Sequence, residues 1–316
     1  MNSVGGFFEL EIMKKDAFIH KSAILLNSGR SCFEYIIKLL KIKKVYISYY
    51  NCEVIVQTLD KLGVSYAFYN MNENLELVGD ICLKQDEFLL YINYFSTKGD
   101  YVSKLVQMYS DKIIIDNSQA FYSNPIDGVP TFYSPRKFFG VPDGGCLYVQ
   151  NEKFEVVDNG ISYPNCTHLL KRLDLGPEIA YNDYLINEKN ISNTGMLSMS
   201  NLTKSILNSI DYDLIKYKRL ANFYMLHSNL FKINKLSVGF NKICCPLVYP
   251  LLINDSTLKS KLILNKIYTA TYWPNVLNWA KADMFEYYLA SNLLALPIDQ
   301  RYTIDDMNRI LEVIYG

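Results

Sequence analysis

Two residues in this chain have the type, order and spacing to hold a reactive organic group between them. Asp116 ends the apolar run Lys112-Ile113-Ile114-Ile115, and Lys137 follows about twenty residues later, behind Ser134-Pro135-Arg136. Asp143-Gly144-Gly145 comes soon after. In open α/β sheets ligands bind beyond the carboxyl ends of the strands, so an aspartate at that point faces a ligand rather than the core. A pyridoxal cofactor asks for such a pair. A carboxylate keeps its ring nitrogen protonated, and a lysine amine holds its aldehyde as a Schiff base. The same amine then serves as general base and acid, which requires surroundings that lower its pKa. Taken singly, Asp116 reads equally well as a helix N-cap and Lys137 as a solvated surface lysine. Together with Gln119 and the glycine pair they read as a site.

The elements that must position these residues alternate along the first half. Residues 31–41 carry Phe33, Ile36, Ile37 and Leu40 at helical spacing, just after Ser28-Gly29-Arg30. Val45 to Ser48 reads as a strand, 53–62 as a helix stopped by Gly63, and Val64 to Tyr69 as a further strand. Phe88 to Tyr94 is another strand, Tyr101 to Ser110 a helix, and 131–149 two short strands around the glycine pair. This rhythm predicts a mostly parallel sheet with helices on both faces. The second half predicts one long amphipathic helix over 200–232, strands near 246–252 and 267–272, and helices at about 281–292 and 304–315. The expected division is a large domain over 1–204 and a small C-terminal α+β domain over 205–316.

Composition removes several classes of function. Lys+Arg and Asp+Glu each number 32, so there is no electrostatic footprint for nucleic acid. The seven cysteines are scattered and lack metal-type or framework spacing, which implies reduced thiols and no metal. His20, His168 and His227 are isolated and read as surface or satisfied core residues. No uncharged stretch reaches bilayer length and no leader pattern opens the chain, so a soluble, cytoplasmic protein without membrane partners is expected.

The order Asp116, Ser118-Gln119, Ser134, Lys137, Asp143-Gly144-Gly145 resembles the DegT/DnrJ/EryC1 sugar aminotransferases, with Ser118 in place of the family's alanine. Those are fold-type I pyridoxal-phosphate enzymes. The resemblance implies an aspartate-aminotransferase-like, three-layer α/β large domain with pyridoxal 5'-phosphate as cofactor. It implies that Asp116 pairs with the ring nitrogen, Gln119 lies near the phenolic oxygen, Ser134 contacts the phosphate and Lys137 holds the aldehyde. Upstream, Asn27-Ser28-Gly29-Arg30-Ser31 matches the family's turn before its first large helix. A helix N-terminus is a ready phosphate site, so Gly29, Arg30 and Ser31 join the cofactor-binding set. Ser48-Tyr49-Tyr50-Asn51-Cys52 matches the segment carrying a ring over the cofactor. Counting back from Gly63 puts Cys52 at that position, with Tyr50 the nearest ring and Asn51 beside it. Asn93, ending its strand, matches a polar position facing the cofactor. Met196 and Ser198 stand where the family sends an Asn and an Arg toward the neighbouring subunit.

The function implied is transfer of an amino group, from glutamate by resemblance, to a keto sugar that is nucleotide-linked, in surface-polysaccharide synthesis. A homodimer is expected, because the fold completes its site at a subunit interface. Other pyridoxal-phosphate chemistry on the same fold, or a catalytically silent structural or regulatory relative, stay open. Trp273-Pro274 and Asp299 to Tyr302 read as substrate-side loops.

Overall fold

The computed structural model describes residues 4–150, 158–236 and 243–316. Its central sheet joins β1 (Ile24–Leu26), β2 (Lys44–Ser48), β3 (Ser65–Tyr69), β4 (Glu87–Ile92), β5 (Ile113–Asp116), β6 (Thr131–Tyr133) and β7 (Gly145–Tyr148) in the order β1-β7-β6-β5-β4-β2-β3. The pairs from β3 through β2, β4 and β5 to β6 are parallel, and β7 runs antiparallel to both its neighbours. The crossovers carry α1 (Gly29–Leu39), α2 (Glu53–Leu62) and α3 (Gly99–Tyr109). These are the elements the alternation predicts, with β1 as an unforeseen edge.

Period-two alternation along a strand buried on both faces explains the two cores of this layer. Ile113 and Ile115 join one hydrophobic cluster while Ile114 joins the other. Under α1 and α2 lie Phe33, Ile36, Ile37, Ile55 and Leu59. Ser28 caps α1 by accepting from the Ser31 N–H at 3.1 Å, and Gly63 ends α2 in the left-handed region at φ 64°.

The second half contains α4 (Thr167–Leu175), α5 (Pro177–Asn193), α6 (Asn201–Ser209), α7 (Tyr212–Leu230), β8 (Tyr249–Leu252), α8 (Leu258–Leu264), α9 (Val276–Trp279), α10 (Phe285–Asn292), β9 (Leu293–Leu296) and α11 (Ile304–Tyr315). Strands β8 and β9 pair antiparallel. Phe223, Leu226, Tyr249, Leu251, Leu262, Leu296 and Met307 form a separate core there. Two expectations are corrected. The single helix over 200–232 is broken at Ile210, which is extended (φ −72°, ψ 139°), and Asp211 starts a new helix by accepting from the Leu214 N–H at 3.0 Å. A cap residue directly after an apolar run interrupts a pattern that otherwise keeps helical spacing. The strand at 267–272 reduces to one bridge, Ala270 to Ala295, because β9 is the segment that pairs with β8. The expected boundary at 204/205 lies inside α6. Among the described residues no helix is long and apolar enough to cross a membrane.

One buried histidine gives this fold an acid sensitivity. His20 meets the Phe121 carbonyl through Nε2 at 2.8 Å and the Tyr148 hydroxyl through Nδ1 at 3.0 Å. Burial lowers its pKa to about 4, against the bond to Phe121 that raises it. The folded state therefore holds neutral imidazole while the unfolded chain takes up a proton near pH 6.5. Its contribution to stability is full above that pH and falls as pH drops toward 4, by up to ~3 kcal/mol. Urea unfolding across pH 4–7 is expected to show a steeper acid loss in the intact protein than in His20→Gln. Parallel curves would refute this assignment.

Candidate active site

Parallel pairing brings the carboxyl ends of three neighbouring strands to one edge. In register, Ile92 of β4 lies beside Asp116 of β5, and Asp116 beside Phe132 of β6. The residues that leave these ends, Asn93, Asn117 to Gln119 and Ser134, therefore share the crevice at that edge. The first turn of α1 reaches the same place. A Cβ built on Gly29 would lie 3.6 Å from the Ser118 hydroxyl and 3.7 Å from the Ser134 Cβ. Lys137 closes a short turn over Pro135–Lys137, its N–H donating to the Ser134 carbonyl at 3.2 Å.

The glycine pair sets how close α1 can come. The Gly144 N–H donates to the Asn27 carbonyl at 2.7 Å, and Gly144 has φ 127°, a region reserved for glycine. A Cβ on Gly145 would stand 2.3 Å from the Ser28 carbonyl oxygen and 2.7 Å from the Cys32 sulfur. Asn27 is fixed from the other side, donating to the Gly195 carbonyl at 2.9 Å and accepting from the Leu197 N–H at 3.2 Å. Asp143 accepts from the Ser200 N–H at 3.0 Å, the Ser200 hydroxyl at 2.8 Å and the Thr203 hydroxyl, which ties the turn to α6. The first amides of α1, at Gly29 and Arg30, have no intrahelical acceptor and open beside Ser134. Gly145→Ala is expected to destabilise the protein by ~1–3 kcal/mol, since backbone must move to admit the methyl. It should also weaken binding of inorganic phosphate, because the displaced turn carries those amides. Calorimetry of folding and phosphate titration measure both. An unchanged melting temperature would contradict the packing argument.

The electrostatics of the edge link four side chains. Asp116 is buried, which raises its pKa, while the Lys137 ammonium and the hydrogen bonds from Ser118 oppose the rise. The Ser118 N–H donates to Asp116 Oδ1 at 2.7 Å. Burial likewise raises the Cys52 thiol, with Lys137 and Arg30 lowering it and Asp116 adding to it. Cys52, which precedes α2, thus sits in the field of both Asp116 and Lys137. Gln119 is fully buried and accepts from the Phe95 N–H at 2.8 Å through Oε1. That donor can bond only an oxygen, which fixes the amide orientation and leaves the Nε2 donor buried without an acceptor among the described residues. Such an orphan donor is costly unless a ligand oxygen meets it.

Other residues singled out in the sequence sit differently. Arg30 directs its guanidinium to α5, donating to the Ser192 carbonyl at 2.8 Å and hydroxyl at 3.1 Å. The Ser31 hydroxyl pairs with that of Ser28 at 2.9 Å. Tyr50 is fully buried, its ring 5.1 Å from Trp273 and 5.8 Å from Tyr94. Asn51 Oδ1 accepts from the Cys52 N–H at 2.7 Å, while its Nδ2 is buried without a partner among the described residues. Asn93 is used at both ends, donating to Asn117 at 3.1 Å and Ser123 at 3.3 Å and accepting from the Lys98 N–H at 3.2 Å. The fold thus gathers Gly29, Ser118, Ser134, Asp116, Lys137 and Cys52, and commits Arg30, Tyr50 and Asn93 to bracing contacts.

Sequence reasoning missed Tyr272. Burial raises its phenol, with Tyr184 and Cys52 adding and Arg219 opposing, so the second half of the chain places a phenol in the electrostatic field of Cys52. The only hint was its place beside Trp273-Pro274. Among the described residues no His, Cys, Asp and Glu cluster could hold a metal ion.

No protein-family model matches the chain, and no curated protein matches it. Solved structures do. A DegT DnrJ EryC1 StrS aminotransferase from Brucella abortus superposes with a TM-score of 0.61 at 12% identity, covering 93% of this chain and 85% of its own. DesV from S. venezuelae gives 0.65 at 16% identity over 92% and 83%. DesI, solved with its TDP-sugar product, gives 0.64 at 12% identity over 92% and 79%. The likeness shows the fold: the chain has the aspartate-aminotransferase-like, fold-type I architecture of the sugar aminotransferases.

Proposed function

We propose that this chain, built on the sugar-aminotransferase fold, is a pyridoxal-phosphate-dependent aminotransferase acting on a keto sugar. The observation that carries the reading is the meeting of Asp116, Lys137 and the first turn of α1 at the carboxyl edge of a parallel sheet, beside an orphaned Gln119 donor. These residues suit the cofactor group by group. The α1 amides and Ser134 suit its phosphate, Gln119 Nε2 its phenolic oxygen, Asp116 its ring nitrogen and Lys137 Nζ its aldehyde. When bound, pyridoxal phosphate supplies the carbonyl that takes up an amino group and the ring that draws off electrons.

The chain's own residues do the rest. Asp116, with Oδ1 held by Ser118, keeps a proton on the ring nitrogen by its charge. Among the described residues Lys137 is the only lysine in the field of that carboxylate, and its Nζ would take and return the proton at the substrate carbon. Cys52 lies in the field of both Asp116 and Lys137, and Tyr272 in that of Cys52, while Lys137 itself is exposed.

Glutamate is the proposed donor and a nucleotide-linked keto sugar the proposed acceptor. The TDP-sugar product held by DesI supports the nucleotide linkage. A role in surface-polysaccharide synthesis in the cytoplasm follows from that substrate class. A homodimer is proposed because α4 and α5 leave Leu170, Leu173, Leu175, Ile179 and Ile186 exposed, an apolar face suited to a second copy. Burial of Tyr50 and the engagement of Arg30 by Ser192 favour one other reading, a catalytically silent relative. Visible absorption of purified protein with added pyridoxal phosphate, before and after glutamate, separates the two. A band that bleaches with glutamate supports the transferase, and absence of any band in folded protein supports the silent relative.

A further inference from the structure

Behind Lys137 lies a cation that the proposed chemistry does not use. Arg219 of α7 is 1% exposed, and its guanidinium donates to the Phe138 carbonyl at 3.2 Å, the Leu247 carbonyl at 3.1 Å, the Pro246 carbonyl at 3.3 Å and Gln300 Oε1 at 3.0 Å. Gln300 Nε2 donates to the same Phe138 carbonyl at 2.9 Å. The guanidinium also lies 4.7 Å from the centre of the Phe138 ring. Phe138 immediately follows Lys137, and its N–H and that of Phe139 both return to the Pro135 carbonyl.

Burying a guanidinium costs several kcal/mol unless its donors are used, so this placement needs a reason. A carboxylate is not that reason. Asp299 is near enough to favour the charge, but Arg301 takes both its oxygens at 2.7 and 2.8 Å. The other groups in Arg219's field are the Cys245 thiol, the Tyr122 phenol and the Arg301 cation. The contacts Arg219 does make are four carbonyl-type oxygens, and one belongs to the turn that carries Lys137.

We propose that Arg219 and Gln300 are positioning residues: they clamp the Phe138 peptide from the C-terminal half and so aim the Lys137 amine toward Asp116. The front of the Pro135–Lys137 turn holds the amine, and its back is bonded to α7 and to the loop before α11. Any shift of those elements moves the lysine. The inference rests on Lys137 being the reactive amine, and its test is chosen to fail separately from that reading.

Arg219→Lys, Arg219→Met and Gln300→Ala are compared with the intact protein in two measurements. In cofactor-free protein, the pH profile of Lys137 acetylation by acetic anhydride is followed by mass spectrometry, with exposed Lys104 as internal reference. With pyridoxal phosphate added, the rate of capture on Lys137 is read by borohydride trapping. Arg219→Met and Gln300→Ala are expected to displace the Lys137 profile relative to Lys104 and to slow capture about tenfold to a hundredfold, the cost of ångström-scale misplacement. Arg219→Lys should fall between them and the intact protein, since an ammonium can hold only part of the network. Intact-like profiles and rates in folded Gln300→Ala and Arg219→Lys would overturn the clamp, even where Arg219→Met fails to fold. If the intact protein captures no pyridoxal phosphate, the functional reading falls, while the acetylation profiles still decide whether the clamp sets the amine.

Discussion

Lys137→Ala is expected to lower amino transfer by about 10³-fold or more and to remove the visible band formed with pyridoxal phosphate. The size of the loss follows from the chemistry being concentrated in one atom. In the proposed reaction Lys137 Nζ both holds the cofactor and moves the proton, and among the described residues no other lysine lies in the field of Asp116. The turn that carries it is held by backbone bonds from Lys137 and Phe138 to Ser134 and Pro135, which alanine keeps. The variant should therefore melt like the parent without cofactor, and a small added amine should restore part of the proton transfer. Stopped-flow spectra with glutamate, with and without methylamine, measure this. A Lys137→Ala protein that still forms and bleaches the band would move the reactive amine elsewhere.

Asp116→Asn is expected to cut turnover by about 10²- to 10⁴-fold while making the cofactor-free protein more stable at neutral pH. The two effects share one cause. Burial raises the Asp116 pKa, so the fold favours the uncharged acid, and the contribution of this group to stability is lost as pH rises through its folded pKa. Asparagine keeps the oxygen that accepts from the Ser118 N–H and drops the charge. Cofactor-free melting should gain most at pH 7 and least near pH 4, and turnover should suffer at every pH. Equal melting at both pH values would remove the argument that this carboxylate is held charged at a cost for the sake of a ligand.

Much of this is legible from residues alone where one force dominates. The run Ile113-Ile114-Ile115 can only be a strand buried on two faces, and the aspartate after it then has to meet the crevice. Gly63 ends α2 because its φ of 64° suits glycine, and α11 spans the 304–315 expected, with Thr303 capping it. The structure departs from the reading where neighbours decide. β1 is three residues long and exists through its pairing with β7. β9 follows α10 without a break, and only β8 distinguishes it from more helix. Arg219 carries no signal of burial in its own helix, and its placement depends on oxygens 27 to 81 positions away: Pro246 and Phe138 are both distant in sequence. Arg30 has the right place for a phosphate contact, but Ser192 on α5 reaches it first.

The threading of the α1 turn has a consequence for how the protein is made. Asn27 and Gly195, which fix that turn together, are 168 residues apart, and Gln300 comes later still. At about 5–20 residues per second, a ribosome needs roughly ten to thirty seconds to bridge the first of those separations. Through that interval β6 already has both its neighbours, β5 and β7, but the α1 turn lacks the Gly195 and Leu197 contacts that fix Asn27. The α1 turn and the Phe138 clamp are thus among the last contacts to form, because each waits for a segment made long after the strands it braces.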